Sequence, residues 1–289
     1  MKKVISLIVV FFILLNINAQ IKLETKAGAP ILPEEGDWAI GFDADPFLNY
    51  IGNLLNSNAV APSANWTNSD LAITGKMFKD DNTAYRLKLR LGLGGTKYNN
   101  MIDTSTSLFG DPAYMTDTYS YSYMNIQMGA GIENRRGKGR VQGVYGGEML
   151  IGMSGTNESI SYADQFDDQH TATWTTLFSE NPNNITTTSS NGPRPTEINE
   201  GSTFTMQLRG FVGVEYFIFS KISVAAEYGW GLIISSQGEG STVTESFGLA
   251  SASATESSIV TTTTKTPGNS NWGIDTDNNG ANLSIIFHF

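Results

Sequence analysis

Histidine is the side chain best suited to proton transfer near neutral pH, and this chain contains only two, His170 and His288. His170 ends the segment Asp167–His170, which places one imidazole beside carboxylates, residue types that take part in general acid–base catalysis. The chain has no cysteine, which excludes a thiol nucleophile, thiolate metal ligands and disulfides. One histidine beside acidic residues in a polar loop is typical of a solvated surface. We therefore predict no catalytic residues and a protein that is not an enzyme.

The segment Asp275–Gly280 has the spacing of the first half of a calcium-binding loop, D-x-D-x-N-G. A complete loop has a bidentate glutamate at its twelfth position, which here is Ile286. A turn rich in asparagine and aspartate is the simpler interpretation, and a loosely held Ca²⁺ is the alternative that the sequence leaves open. We assign neither a metal nor another cofactor.

Two further segments suggest anion binding at first sight. Gly92–Gly95 follows a predicted strand but opens no helix, so it does not form a phosphate-binding loop. The basic run Arg135–Arg140 is predicted to be a solvated turn, with acidic partners or anionic lipid headgroups as the alternative ligands. The 289 residues include 18 Lys and Arg against 28 Asp and Glu, a formal net charge of −10. This charge argues against nucleic acid as a partner.

Residues 1–19 have the composition of a cleaved export signal. Lys2 and Lys3 precede an apolar run over Val4–Leu15, and Ala19 provides a small residue at a cleavage point before Gln20. The run is short for a membrane-spanning helix, and no basic cluster follows it. We expect residues 20–289 to form a single domain of the exported protein.

The exported part alternates apolar and polar residues with a period of two, which indicates β-strands. The range 211–234 alternates over its whole length and is broken by a tight turn near Phe217–Lys221. The same alternation occurs in the following stretches: Trp38–Phe42, Leu71–Met77, Tyr85–Leu93, Met124–Ile132, Val141–Ile151, Phe204–Arg209 and Leu283–Phe289.

Seven connections separate these stretches into eight predicted strands, because no connection lies between Phe204–Arg209 and the range that begins at 211. Three connections are tight and polar, namely Lys79–Thr83, Glu133–Lys138 and Phe217–Lys221. Four are long, at about 48–69, 96–118, 154–202 and 236–280, and the two kinds alternate strictly along the chain. This alternation predicts an all-β, up-and-down antiparallel barrel that spans a membrane, with three short periplasmic turns and four long outer loops.

A membrane barrel directs apolar side chains to lipid and polar ones to its lumen. On this basis Leu87, Leu89 and Leu91 point outward. Charged residues of the alternate positions fill the lumen, where burial requires them to pair. The predicted inward set is Lys76, Arg86, Lys88, Arg90, Arg209, Glu148, Glu215 and Glu227, with His288 in the lumen or at a turn. An ion-pair plug is one interpretation of this set, and a narrow polar path or small-ligand cavity is the other. The phase of Tyr119, Tyr121 and Tyr123 stays open.

Aromatic residues gather at the predicted periplasmic strand ends, as in an interfacial girdle: Trp38, Tyr85, Tyr216 and Phe289. The last predicted strand, Leu283–Phe289, ends on phenylalanine. Together with the export signal, the eight strands and the alternating connections, this ending resembles small eight-stranded outer-membrane β-barrels of Bacteroidota, of the type of the OmpA membrane domain without its soluble C-terminal domain. The resemblance implies an outer-membrane location, contact with lipid and lipopolysaccharide, and recognition of Phe289 by the barrel-assembly machinery.

One predicted loop carries an apolar face. Within Asp45–Leu55, an aspartate cap and a proline precede apolar residues at helical spacing. We expect this face to lie on the outer leaflet, in the barrel mouth or against a partner, with the mouth or a partner favoured. The Ser- and Thr-rich stretches Thr186–Ser190 and Thr261–Thr264 are expected to be hydrated or flexible contact segments.

Three functions compete on this evidence. The first is a non-enzymatic barrel that serves as a structural or accessory subunit of a larger outer-membrane complex, such as barrel assembly or type IX secretion, and acts through its loops and its wall. The second is a narrow channel for small solutes. The third, a lipid-modifying enzyme or protease, would depend on His170.

Overall fold

The structure, a computed structural model, describes residues 23–25, 28, 30–43, 73–103, 114–137, 139–166, 173–178, 186–190, 192–251, 253–276 and 282–289. The predicted export signal, the helix predicted over Asp45–Leu55, His170, and Asp277–Gly280 of the predicted calcium loop lie outside these residues. The described ranges contain no helix with the length and hydrophobicity needed to span a membrane.

The described part of the chain is built from strands, as the two-residue alternation predicts. They are β1 (Trp38–Asp43), β2 (Ile73–Asp80), β3 (Thr83–Asp103), β4 (Tyr114–Arg136), β5 (Val141–Ser161), β6 (Thr173–Leu177), β7 (Thr186–Ser190), β8 (Arg194–Asn199), β9 (Thr203–Phe219), β10 (Ile222–Gln237), β11 (Gly240–Leu249), β12 (Ser257–Thr266), β13 (Ser270–Thr276) and β14 (Asn282–His288).

Eight of these strands pair into a closed ring. Going around it, each of β1, β2, β3, β4, β5, β9, β10 and β14 is antiparallel to the next, and β14 pairs back to β1 through Ala39–His288 to Asp43–Ser284. The order is that of an up-and-down meander once the strands inserted between β5 and β9 and between β10 and β14 are set aside. The predicted all-β antiparallel architecture is therefore confirmed, with eight strands in the ring and six further strands of the described residues outside it.

The two faces of the ring differ in chemistry, because side chains along a strand alternate between them. On β3, Leu87, Leu89 and Leu91 are 61%, 38% and 65% exposed on the outer face, as predicted. The residues between them point inward, and Arg86 is only 4% exposed. Apolar residues on the outside and charged residues on the inside are the reverse of a water-soluble sheet.

The ring has a turn end and a loop end. At the turn end, β2 joins β3, β4 joins β5, and β9 joins β10 through connections of two to four residues. Lys221 takes a left-handed backbone conformation (φ 69°) in the β9–β10 turn. At the loop end, the chain takes 29 residues from β1 to β2 and 10 residues from β3 to β4, over ranges 44–72 and 104–113.

The long connections contain more strand than the sequence indicates. The predicted connection 96–118 is wrong at both sides, because β3 continues to Asp103 and β4 begins at Tyr114. The connection 154–202 contains the end of β5 and the strands β6, β7 and β8, and 236–280 contains β11, β12 and β13. Thr186–Ser190 and Thr261–Thr264, predicted to be hydrated or flexible segments, lie in β7 and β12.

The added strands extend the ring at its loop end. Beyond the ring, β5 pairs with β8 through Asn157–Ser159, β8 pairs with β11, and β11 pairs with β12. Strand β13 continues the line of β14 along β10, pairing Trp230–Ser236 with Ser270–Thr276. The strands β6 and β7 form a separate hairpin.

Two predicted turns are shorter than expected. Glu133 and Arg135, which were placed in a tight turn, belong to β4, and Phe217 belongs to β9. All three side chains are at most 1% exposed. All three side chains point to the interior. Each of the two strands therefore continues as far as its inward residues make contacts there.

Candidate functional site: the interior of the ring

The middle of the interior holds an ion network around two glutamates, Glu148 of β5 and Glu227 of β10. Arg209 bridges them, with its Nη1 2.7 Å from an oxygen of each. Arg86 Nη1 lies 2.7 Å from Glu227, and Lys88 Nζ lies 2.7 Å from Glu148. The guanidinium of Arg209 occupies the space that a side chain at Gly229 would need. Three cations from two strands are thus held against two carboxylates from two others.

A second layer lies closer to the turn end and is centred on Glu215 of β9, which is completely buried. Its carboxylate accepts hydrogen bonds from Ser223 (2.6 Å) and Lys76 (3.2 Å), and Arg135 Nη2 lies 3.0 Å away. His288 Nε2 is 3.1 Å from the same carboxylate. A buried charge without partners costs several kcal/mol, and this carboxylate has four polar neighbours.

Glu133 connects the two layers. It is completely buried, and its two oxygens receive Lys76 Nζ at 2.9 Å and Arg86 Nη1 at 3.3 Å. Lys76 belongs to the layer around Glu215, whereas Arg86 belongs to the layer around Glu227. The interior charges therefore form one continuous network through the ring.

Aromatic rings close the network at the turn end. The Arg135 guanidinium lies 5.0 Å from the centre of the Phe78 ring and 5.4 Å from that of Phe217. The His288 imidazole packs against the same two rings, at 5.7 and 5.1 Å. Because Phe78 and Phe217 are at most 1% exposed, this end of the interior is filled by side chains.

Ser223, His288 and Glu215 have the residue types of a hydrolytic triad but not its geometry. In a triad, one imidazole nitrogen faces the serine and the other faces the acid. Here His288 Nε2 is the nitrogen that approaches both Ser223 Oγ (3.0 Å) and Glu215 Oε1 (3.1 Å), and Nδ1 has no hydrogen-bond partner among the described residues. Ser223 is completely buried as well. This cluster is therefore part of the internal packing.

The predicted inward set is brought together almost in full. Ion pairs join Lys76, Arg86, Lys88, Arg209, Glu148, Glu215 and Glu227, and Arg90 lies on the same face of β3. His288 is internal, one of the two positions predicted for it, at 3% exposure. The sequence analysis missed Glu133 and Arg135, although both continue the odd-numbered inward positions of β4.

The predicted basic turn Arg135–Arg140 is thus only partly a surface feature. Arg135 is internal, which removes it from any site for lipid headgroups or acidic partners. Arg140 donates from Nη1 to the carbonyl oxygens of Phe217 (3.0 Å) and Ile218 (2.7 Å). It therefore ties the β4–β5 turn to the end of β9.

The inner face changes character towards the loop end. Along β4, the inward residues beyond Gly129 are two amides, Gln127 and Asn125, and then three tyrosines. Tyr119, Tyr121 and Tyr123 continue the inward face, which decides the phase that the sequence left open, and they are half-buried. Tyr119 stacks on Tyr98 at 6.1 Å and on Phe178 at 5.5 Å between ring centres.

The β6–β7 hairpin is fixed to the inner face at the loop end. The buried carboxylate of Asp117 accepts the backbone N–H groups of Ala163 (2.8 Å) and Thr176 (3.1 Å). Asn100 Nδ2 donates to Thr176 Oγ1 at 3.0 Å and to Thr187 Oγ1 at 3.3 Å. The first long insertion is therefore attached to β3 and β4 by specific polar contacts.

A second cluster at the loop end surrounds Arg194, which is 3% exposed. Its guanidinium lies 4.2 Å from the Tyr162 ring centre and 4.4 Å from that of Phe166, and its Nε lies 2.8 Å from Glu245. The Tyr162 hydroxyl donates to the carbonyl of Pro195 at 2.8 Å. Burial raises the pKa of Tyr162 to about 12, against the opposing effect of Arg194. The hydroxyl therefore stays protonated and able to donate.

Among the described residues, no group of three or more histidine, aspartate or glutamate side chains has a metal-binding arrangement. Comparison with protein-family models, with curated proteins and with solved structures finds no match to this chain.

Proposed function

We propose that the chain is a small outer-membrane β-barrel protein with a plugged lumen, which serves as a structural or accessory subunit of a larger outer-membrane complex. The observation that carries the proposal is the contrast between the two faces of the ring. A closed wall with leucines outside and ion pairs inside is stable where the outside is hydrocarbon.

The exposed apolar side chains support the proposal because they form a band of limited height. Hydrogen-bonded neighbours place Leu93 beside Met124, and Ile126 beside Met153. Beyond Leu93, the next three outward residues of β3 are Gly95, Lys97 and Asn99, before the exposed Met101 near the end of the strand. A band that stops while the strands continue fits a wall that leaves the hydrocarbon and enters water.

Aromatic side chains at the turn end support the same orientation. Trp38, Tyr85, Tyr216 and Phe289 are 59%, 42%, 47% and 67% exposed. Trp38 and Phe289 exchange backbone hydrogen bonds of 3.3 and 2.7 Å where β1 meets β14. Exposed aromatic residues at one height are favoured at the boundary between lipid and water, here the periplasmic boundary.

The accessory role is supported by where the chain places its extra strands. The strands β8, β11 and β12 form a sheet beyond the wall, and most residues of β12 are exposed. The interior, by contrast, is occupied by the ion network. In the described part of the chain, the surfaces that remain for contact with a protein partner are the strands at the loop end and the outer wall. A complex reached through these surfaces, such as one for barrel assembly or secretion, is the partner class we propose.

The location is tested by expressing the chain with residues 1–19 in a Gram-negative host and fractionating the membranes. We expect the protein in the outer membrane, released by detergent and aggregating when detergent is removed. A protein that is monodisperse in buffer without detergent would overturn the proposal. A mild-detergent pull-down of the native protein tests the accessory role, and recovery as an isolated monomer would contradict it.

A narrow channel is a second candidate, favoured by the half-buried tyrosine and amide residues above the ion network. Planar-bilayer recordings separate it from a plugged barrel. We expect no ion current, because Arg209, Glu148 and Glu227 occupy the middle of the interior. A steady conductance that rises on replacing Arg209 with alanine would favour the channel.

A further inference from the structure

The inner face between the ion network and the β6–β7 hairpin presents aromatic rings and amides. We call it the tyrosine–amide face and define it by Tyr121, Tyr123, Asn125 and Gln127 of β4, Gln207 of β9 and Ile233 of β10. We propose that this face is a binding site for a neutral saccharide. The inference goes beyond the proposed structural role and does not require a protein partner.

The Tyr123 ring lies close against the neighbouring strand, β3. A Cβ added at Gly94 of β3 would come within 2.6 Å of the Tyr123 ring carbon Cε1 and hydroxyl oxygen. A Cβ at Gly92 would lie 3.9 Å from the same ring. Two glycines of β3 therefore leave room for the ring to cover the backbone. The hydroxyl end of the Tyr123 ring therefore lies over Gly94, and the side chain as a whole is half-buried.

A second ring extends this surface. Tyr121 lies 6.2 Å from Tyr123 between ring centres, at an interplanar angle of 32°. Both side chains are half-buried, so part of each ring is not covered by the protein. Ile233 of β10 points inward and is nevertheless 38% exposed. Partly uncovered apolar and aromatic surface on an inner face is what a ligand with an apolar side would cover.

The amides supply the polar half of the site. The side chains of Asn125, Gln127 and Gln207 are half-buried, and none of them makes a hydrogen bond to another described residue. Each amide offers two donors and one carbonyl acceptor. Gln127 and Tyr123 are four residues apart on one strand, a rise of about 13 Å, so a ligand of two or three sugar rings would reach both.

The charge pattern selects the ligand class. The six residues that define the tyrosine–amide face carry no charge. The charged inward residues next to them are of opposite sign, Arg90 of β3 beside Gln127 and Glu158 of β5 beside Tyr121. A sugar ring has an apolar C–H face that stacks on an aromatic ring and hydroxyl groups that match amide donors and acceptors. An anionic saccharide would bring its carboxylates beside the carboxylate of Glu158, in a chain with a net charge of −10.

The test is calorimetric titration of the full-length exported protein in an amine-oxide detergent, because detergents with sugar headgroups would compete. The probes are maltotriose, cellotriose and triacetylchitotriose, with trigalacturonic acid as the anionic comparison. We expect saturable binding of at least one neutral trisaccharide and at least tenfold weaker binding of the anionic one. Absence of saturable binding for all three neutral probes, or equal binding of the anionic probe, would overturn the proposal.

Two variants of Tyr123 test whether the binding occurs on the tyrosine–amide face. Tyr123→Ala is expected to weaken binding at least tenfold, whereas Tyr123→Phe should keep most of the affinity because the ring face remains. The matched control is Tyr228→Ala, which removes an exposed tyrosine from the outer face of β10. Equal affinity of Tyr123→Ala and the unmodified protein would place binding elsewhere and refute the site. Detergent dependence is measured separately, so failure here does not affect the membrane proposal.

Discussion

Among single residues, Glu215 has the most concentrated set of interactions. It is completely buried on β9 and meets Ser223 and His288 as well as two cations, Lys76 and Arg135. Removing one partner from a buried ionic cluster is more damaging than replacing the whole cluster, because the remaining charges lose their compensation. The structure therefore identifies Glu215 as the position where loss of one negative charge has the largest effect.

We predict that Glu215→Gln lowers the free energy of unfolding by about 3–5 kcal/mol, the range found when a buried ion pair loses one partner. The measurement is urea-induced unfolding in lipid vesicles, followed by tryptophan fluorescence. Glu197→Gln on β8 is the matched control, because Glu197 is exposed and should change stability by no more than about 0.5 kcal/mol. Equal effects of the two substitutions would show that the ion network contributes no more than a surface charge.

Most internal residues could be predicted from the sequence, and the exceptions have one cause. Lys76, Arg86 and Glu227 sit at inward positions inside clear apolar alternation, which marks their phase. Glu133 and Arg135 lie beyond Ile132, the last outward apolar residue of β4, and beside a basic run. Their strand position depends on contacts with Lys76 and Glu215 from distant segments, which no local pattern contains.

At the scale of elements, the sequence predicts a strand only where its two faces differ. Residues Tyr85–Leu93 of β3 alternate because one face is apolar. From Thr96 to Asp103 both faces are mainly polar. Backbone pairing with β4 continues there, although the sequence shows no apolar–polar alternation. Strand β12 is an extreme case, since most of its residues are exposed and it is rich in serine and threonine. Such strands are set by hydrogen bonding to a neighbour.

The β6–β7 hairpin should depend on Asp117. Both carboxylate oxygens accept backbone N–H groups, whereas asparagine would turn an NH₂ group towards one of them. We predict that Asp117→Asn destabilises the hairpin by about 1–3 kcal/mol, the cost of a buried unsatisfied donor. Hydrogen exchange should show faster exchange for Thr173–Leu177, while β3 and β4 amides in the ring keep their protection as an internal control. Unchanged protection of the hairpin would contradict this role.

The contact between Tyr162 and β8 should be sensitive to alkaline pH. The folded protein holds the pKa of this phenol at about 12, above its ordinary value of 10, so the folded state retains the proton that the unfolded chain releases first. The stabilisation is complete below pH 10 and is lost as pH rises towards 12.

This pH dependence can be followed by carbon-13 NMR of tyrosine Cζ, with the Tyr162 signal assigned by its loss in Tyr162→Phe. We expect this signal to move near pH 12. Movement centred at pH 10 would mean that the hydroxyl is not buried against Pro195, and that the β8 contact is weaker than the 2.8 Å hydrogen bond indicates.

At the scale of the whole molecule, the ring combines two arrangements that each require the other. The inner ion network needs a closed wall, because only a closed wall keeps water from its charges. The outer apolar face needs surroundings in which exposure of leucine side chains is not unfavourable, since an apolar band of this extent in water would cause aggregation. Pairing of β14 with β1 satisfies the first requirement within the chain. The second requirement has to be met by the environment, which is why the membrane proposal can be tested by one outward residue.

Leu89 lies on the outer face of β3, between Leu87 and Leu91, within the apolar band. If the band is immersed in lipid, Leu89→Arg places a charge in hydrocarbon and should cost about 2–4 kcal/mol near the midplane. If the band faces water instead, the same substitution on a 38% exposed side chain should be almost neutral. Asn99→Arg is the matched control, because it changes an outward residue of the same strand above the band. Unfolding in phospholipid vesicles should therefore separate the two variants by at least about 1.5 kcal/mol, and equal stability would exclude lipid as the phase around the ring.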